Sequence, residues 1–185
     1  MKQLMRITAA VAIMMYSTVS MAQVKKSADD KVVRLSVGIE TGLPVGKFNT
    51  GTKWNLGGSV QADFSVVKRV LFITANAGYN NFFTEKSTKG DLQLIPVKAG
   101  LKYFPVNNLY IQGEAGVSFL ANKSKIDADK SASFVYAPQV GYLIPLGRGN
   151  YLDAGIRFES NSKFYDKGNQ ANFLGLRIAY AFDTK

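Results

Sequence analysis

The 185-residue chain has no cysteine and no histidine. The first absence excludes disulfides, thiolate catalysis and cysteine metal sites. It also excludes a lipoprotein, which needs a cysteine at its cleavage point. The second excludes Ser-His-Asp and Asp-His chemistry and histidine metal ligation. No phosphate-binding loop is present, because the glycines from Gly51 to Gly58 are not followed by a lysine-serine pair. The segment "DADK" at 127–130 lacks the loop glycine and closing glutamate of an EF-hand. No sequence repeat, linker or helical apolar stripe interrupts the chain after its first residues. The expectation is a protein with no catalytic residues, no cofactor and no metal, and therefore not an enzyme.

What is present begins with an export signal. Lys2 and Arg6 precede the apolar "ITAAVAIMMYSTV", and "SMA" at 20–22 suits cleavage. That apolar core is too short to span a bilayer as a helix. The reading is a signal peptide at 1–22, a loose polar leader at 23–31 ("QVKKSADDK") and one β-domain at 32–182. The net charge of +10 falls to +8 (10 − 2) when Lys2 and Arg6 leave. Export argues against nucleic acid as the partner of this basic chain, and no nucleic-acid binding is expected. Anionic lipid headgroups suit it better.

The stretch "IPVKAGLKYFPVNNLYIQGEAGVSF", residues 95–119, alternates strictly on both sides of a four-residue break. Period two means β-strands. The same alternation recurs along the chain and predicts eight strands of about nine to thirteen residues, long enough to cross a bilayer as tilted strands. Connections alternate too. "TGLPVGKFNTGTK", "NFFTEKSTKGD", "ANKSKIDADKSA" and "SNSKFYDKGNQAN" are long and polar, whereas "VVKR", "PVNN" and "PLGRGN" are short. Both ends of the domain then fall on the short-turn side.

One face of the strands carries small residues, among them Gly38, Gly57, Gly78, Gly100, Gly116, Gly141, Gly155 and Gly175. Between them stand single charges: Arg34, Asp63, Lys98, Lys102, Glu114, Asp153, Arg157, Glu159 and Arg177. A solvent-facing surface would be dense in long side chains. Small residues beside a few acids and bases suit the narrow lumen of an eight-stranded barrel, where charges must neutralise one another. The other face is nearly free of charge. It places Trp54, Tyr79, Tyr103, Phe134, Tyr142, Phe158, Tyr180 and Phe182 near strand ends, the pattern of a lipid-facing belt with aromatic girdles. The fold class expected is all-β, an eight-stranded antiparallel up-and-down transmembrane β-barrel. Pro96 and Pro138 fall inside strands, where each removes a ladder donor and marks a bulge or a strand end. Phe48, Phe82, Phe83, Phe164 and Tyr165 in the long connections are candidates for contact with a partner or with lipopolysaccharide, although rim packing is the commoner duty.

Three motifs resemble the small outer-membrane β-barrels of Bacteroidota, the outer membrane protein beta-barrel domain family. They are "VGIETGLPVGKF" at 37–48, the hairpin "PVKAGLKYFPVNNLYIQGEAGVSF" and the closing "LGLRIAYAF" at 174–182. Phe182 resembles the terminal aromatic read by the barrel-insertion machinery, although Asp183, Thr184 and Lys185 follow it here. The resemblance covers 31–182. It implies residence in the cell outer membrane, turns in the periplasm, loops outside, and outer-membrane lipid, lipopolysaccharide and the insertion machinery as partners. It implies no shared catalytic residue. The functional expectation is a structural or interaction barrel with a closed, charge-paired lumen and outward polar loops, the loop partner being unspecified. The alternatives are a barrel transporting small or apolar solutes, and a soluble, secreted, lipocalin-like binding barrel.

Overall fold

The computed structural model describes residues 32–46, 52–84, 91–122, 130–163 and 170–184. The signal peptide, the leader, Phe48, Phe164, Tyr165 and Asp127–Asp129 lie outside the described residues. Eight strands form: β1 (Val33–Pro44), β2 (Thr52–Val67), β3 (Leu71–Thr84), β4 (Leu92–Val106), β5 (Leu109–Leu120), β6 (Ala132–Gly147), β7 (Asn150–Asn161) and β8 (Ala171–Thr184). Each pairs antiparallel with the next, and β8 returns to β1, closing the barrel in up-and-down order. Closure removes every sheet edge, which is the condition for a sheet to stand in hydrocarbon.

The strands, of 12 to 16 residues, exceed the expected lengths at their ends. β2 pairs on to Val67, and β8 runs through Thr184, two residues past the expected end of the domain. The turns shrink accordingly. Arg69, Asn108 and Arg148 take left-handed φ values of 60°, 68° and 54°, and Gly147 and Gly149 flank Arg148 with positive φ of their own.

Sorting across the sheet follows the alternation. Val37, Ile39, Leu101, Ile111, Ile156 and Leu176 are exposed on the outside, while Gln61, Asn76, Gln112 and the charged residues are buried within. A water-soluble ligand-binding barrel needs the opposite arrangement, so the lipocalin-like alternative fails on this observation.

The two prolines are not bulges. Pro96 pairs with Ser118 on its β5 side, but the β3–β4 ladder skips from Ala77↔Val97 to Asn80↔Leu94 with its register unchanged. Pro138 likewise pairs with Gly113 on β5, while the β6–β7 ladder skips from Tyr136↔Ser160 to Gln139↔Arg157. Each proline, lacking its donor, interrupts one ladder only. The actual register shifts lie elsewhere, between Thr52 and Trp54, Ser65 and Val67, Tyr103 and Val106, and Pro145 and Gly147.

Candidate functional site

The lumen is where the polar chemistry gathers. All nine charges assigned from sequence to its lining are buried there, joined by Glu40. Among the described residues that makes five buried cations and five buried carboxylates, and the part-buried Asp183 adds a further carboxylate beside Arg34. An interior this narrow and buried could not hold an uncompensated charge cheaply.

The filling is layered. At the turn end the Arg34 guanidinium lies over the rings of Tyr151 and Phe72, 4.3 and 5.5 Å from their centroids. It donates to Asp183 through Nε at 2.7 Å and Nη2 at 3.3 Å. Phe72 meets Phe104 edge-on, and Phe104 in turn packs on Tyr110. Above them Lys102 Nζ sits 2.7 Å from Asp63 and 3.5 Å from Asp153, over the Tyr110 ring. The Tyr110 hydroxyl donates to Asp153 at 2.6 Å and accepts from Gln139 at 2.5 Å. Arg177 reaches Asp153, Ser36 and Ser59. Gln61 and Gln112 exchange amide hydrogen bonds across the lumen, both at 3.3 Å.

The next layer centres on Arg157. Its Nη1 bonds both oxygens of Glu40, at 3.0 and 3.1 Å, and its Nε donates to Gln139 at 2.8 Å. Glu114 lies 3.6 Å from its Nη2, and Glu159 approaches Nη1 at 4.0 Å. Lys98 pairs with Glu159, and Thr74 donates to Glu114. At the loop end the polar network gives way to apolar packing. Phe82, Leu94, Leu120 and Phe173 form a buried cluster with Leu92 against it, the two phenylalanine rings meeting edge-on at 5.2 Å. The charged layers therefore lie between an apolar plug at the loop end and an arginine clamped between rings at the turn end.

Glu40 shares the lumen-face parity of Arg34 on β1 although the expected charge set omits it, and Asp183 lies beyond the expected end of the domain yet pairs with Arg34. Tyr110, Gln61, Gln112 and Gln139 have no part in the expected set, although their positions on the polar face are the available signal. Phe82 and Phe83, read as loop aromatics, belong to strand β3: Phe82 is in the plug, and Phe83 stacks on Trp54 at 4.5 Å.

The eight expected girdle residues lie on the outer face. Trp54, Phe134 and Phe158 stand toward the loop end. Tyr103, Tyr142, Tyr180 and Phe182 stand toward the turn end. Tyr79 lies deeper, opposite Gly58. Phe158 and Phe182 are half-buried against Tyr136 and Tyr180. Among the described residues no cluster of carboxylates has the arrangement of a metal site.

No family model matches the chain, and no curated protein matches it in sequence. Solved structures do match in shape. Ail of Yersinia pestis, in a phospholipid nanodisc, superposes with a TM-score of 0.55 at 12% identity, over 84% of this chain and 100% of Ail. OprG of Pseudomonas aeruginosa gives 0.54 at 13%, over 83% and 96%. The outer-membrane enzyme PagL gives 0.54 at 13%, over 80% and 98%. At such identities the likeness establishes a fold and no activity. The fold of this chain is that of the eight-stranded outer-membrane β-barrels.

Proposed function

We propose that the protein is an outer-membrane structural or interaction barrel, which does no catalysis, admits no solute through its lumen and presents its long loops outward. The observation that carries this reading is the filled lumen: paired charges in successive layers, with an apolar plug at one end and the Arg34 clamp at the other. Eight strands enclose only enough space for side chains. The absence of histidine and cysteine supports the exclusion of catalysis. Exposed Lys53, Lys130 and Lys163 stand at the loop end, where anionic lipopolysaccharide headgroups would meet them. Kinship with the Bacteroidota family rests on the three motifs alone.

One observation favours transport as a second reading. Pro138 leaves a gap in the β6–β7 ladder, while on its other side a shallow outer groove lined by Ala99, Leu101, Gly113, Ala115, Tyr136 and Pro138 lies over the continuous β4–β5–β6 ladders. A lateral route for an apolar solute would use such a seam.

The test begins with membrane fractionation and gel mobility in SDS, boiled and unboiled. Protein in the outer-membrane fraction that migrates differently after boiling is expected. Reconstituted into planar bilayers it should show no conductance steps, and vesicles containing it should take up ions and apolar dyes no faster than empty ones. Conductance would sink the closed-lumen reading, and accelerated dye uptake without conductance would favour the lateral route.

A further inference from the structure

The β1–β8 seam differs from the other seven in having no turn or loop to hold its strands. Elsewhere the connection limits how far a strand can slide along its neighbour. Here nothing covalent does, and the pairing chosen at this seam completes the shear of the whole barrel. A slip by one residue would turn the apolar face inward and is opposed by the entire sheet. A slip by two keeps every residue on its proper face. The outer residues at the seam do not discriminate against it: Leu35, Val37 and Ile39 face Phe182, Tyr180 and Ile178, and any of these apolar side chains can face another.

The lumen side does discriminate. Arg34 faces Asp183 and Glu40 faces Arg177. Both are ion pairs, with Nε–Oδ1 at 2.7 Å in the first and Nε–Oε1 at 3.5 Å in the second. Their polarities are opposite, cation on β1 in one and on β8 in the other. Among the described residues, no other seam sets directly opposed charges into an ion pair. The β1–β2 register does place Arg34 opposite Asp63, but Asp63 gives its oxygens to Lys102 and Gln61. Between the two pairs Gly38 faces Ala179 so closely that a Cβ at Gly38 would stand 2.5 Å from that of Ala179.

We propose that these two cross-strand ion pairs are the register key of barrel closure, selecting the native pairing against two-residue slips. One slip would set Arg34 opposite Ala181, Gly38 opposite Arg177 and Glu40 opposite Gly175. The other would set Arg34 opposite position 185, a lysine, and Glu40 opposite Ala179. Both ion pairs are lost in either case: Arg34 loses Asp183, and Glu40 and Arg177 are left to Arg157 and Asp153 alone, so the lumen charges are less well compensated.

The natural lack of cysteine makes the register readable. In the full-length protein Leu35→Cys with Phe182→Cys reports the native pairing, because directly opposed residues lie within disulfide reach and diagonal ones do not. Leu35→Cys with Tyr180→Cys or with Thr184→Cys reports the slips. The unaltered lumen should cross-link only between 35 and 182. Arg34→Asp with Glu40→Gln should move cross-linking toward 180 or 184, or abolish the heat-shifted folded band. Adding Asp183→Arg to Arg34→Asp should restore both the band and the 35–182 cross-link.

Removing a buried pair from seams held by their own turns, Lys102→Met with Asp63→Leu, should leave the closing register native. The proposal is overturned if the Arg34→Asp, Glu40→Gln protein folds with only the native cross-link. It is equally overturned if the reversed pair rescues nothing, or if the Lys102 and Asp63 control slips as readily.

Discussion

At the scale of single residues, Arg157 is the most heavily shared group in the lumen. Its fork serves Glu40 twice and Gln139 once, and its Nη2 lies 3.6 Å from Glu114. Arg157→Ala would leave Glu40 and Glu114 with much less compensation, which costs about 3–5 kcal/mol for a broken buried pair. The urea midpoint of the heat-shifted band should fall accordingly. Arg157→Lys keeps the charge but loses the planar fork that bonds Glu40 and Gln139 together, so its midpoint should lie between the two. Parity alone made nine lumen charges legible in the sequence, since an alternating strand gives each residue only two directions. The hydrogen-bond partners were not legible, because Arg157 and Glu40 are 117 residues apart and meet only after the barrel closes. Glu40 shows the difference: its face could be read from β1, its partner could not.

At the scale of the strand, β5 contains two glycines with opposite surroundings. A Cβ at Gly116 would stand 2.0 Å from the Val97 carbonyl oxygen and 2.8 Å from the Lys98 Cα, whereas one at Gly113 would meet nothing within 4 Å. Gly116→Ala must force β4 and β5 apart and should destabilise the barrel by about 1–3 kcal/mol, the usual penalty for overpacking. Gly113→Ala adds a methyl group to the outer face and should leave the urea midpoint unchanged or slightly raised. Equal losses in the two variants would mean that β-propensity or backbone entropy, and not strand separation, governs glycine here. The strands themselves were legible from their period, but their ends were not. Beyond the lipid belt the alternation blurs into polar residues while ladder pairing continues, as it does through Asp183 and Thr184 of β8. Proline was half legible. The missing donor in Pro96 and Pro138 was evident from the residue type, but which neighbouring ladder would lose it depends on the direction in which that donor would have pointed.

For the whole molecule, the question is how many barriers close the lumen. Phe82 and Phe173 belong to the apolar plug at the loop end, and removing both rings would open a cavity there. Beneath that cavity the Arg157–Glu40 layer, the Lys102–Asp63–Asp153 layer and the Arg34 clamp are each held by their own partners. Phe82→Ala with Phe173→Ala should therefore cost stability, about 3–5 kcal/mol for each fully buried ring lost, without creating conductance in a planar bilayer. A folded variant that conducted would make the plug a gate, with the charged layers beneath it hydrated and passable. A folded variant that stayed silent would mean that closure is distributed along the barrel. That is the behaviour expected when the same ion pairs that neutralise the interior also occupy its cross-section.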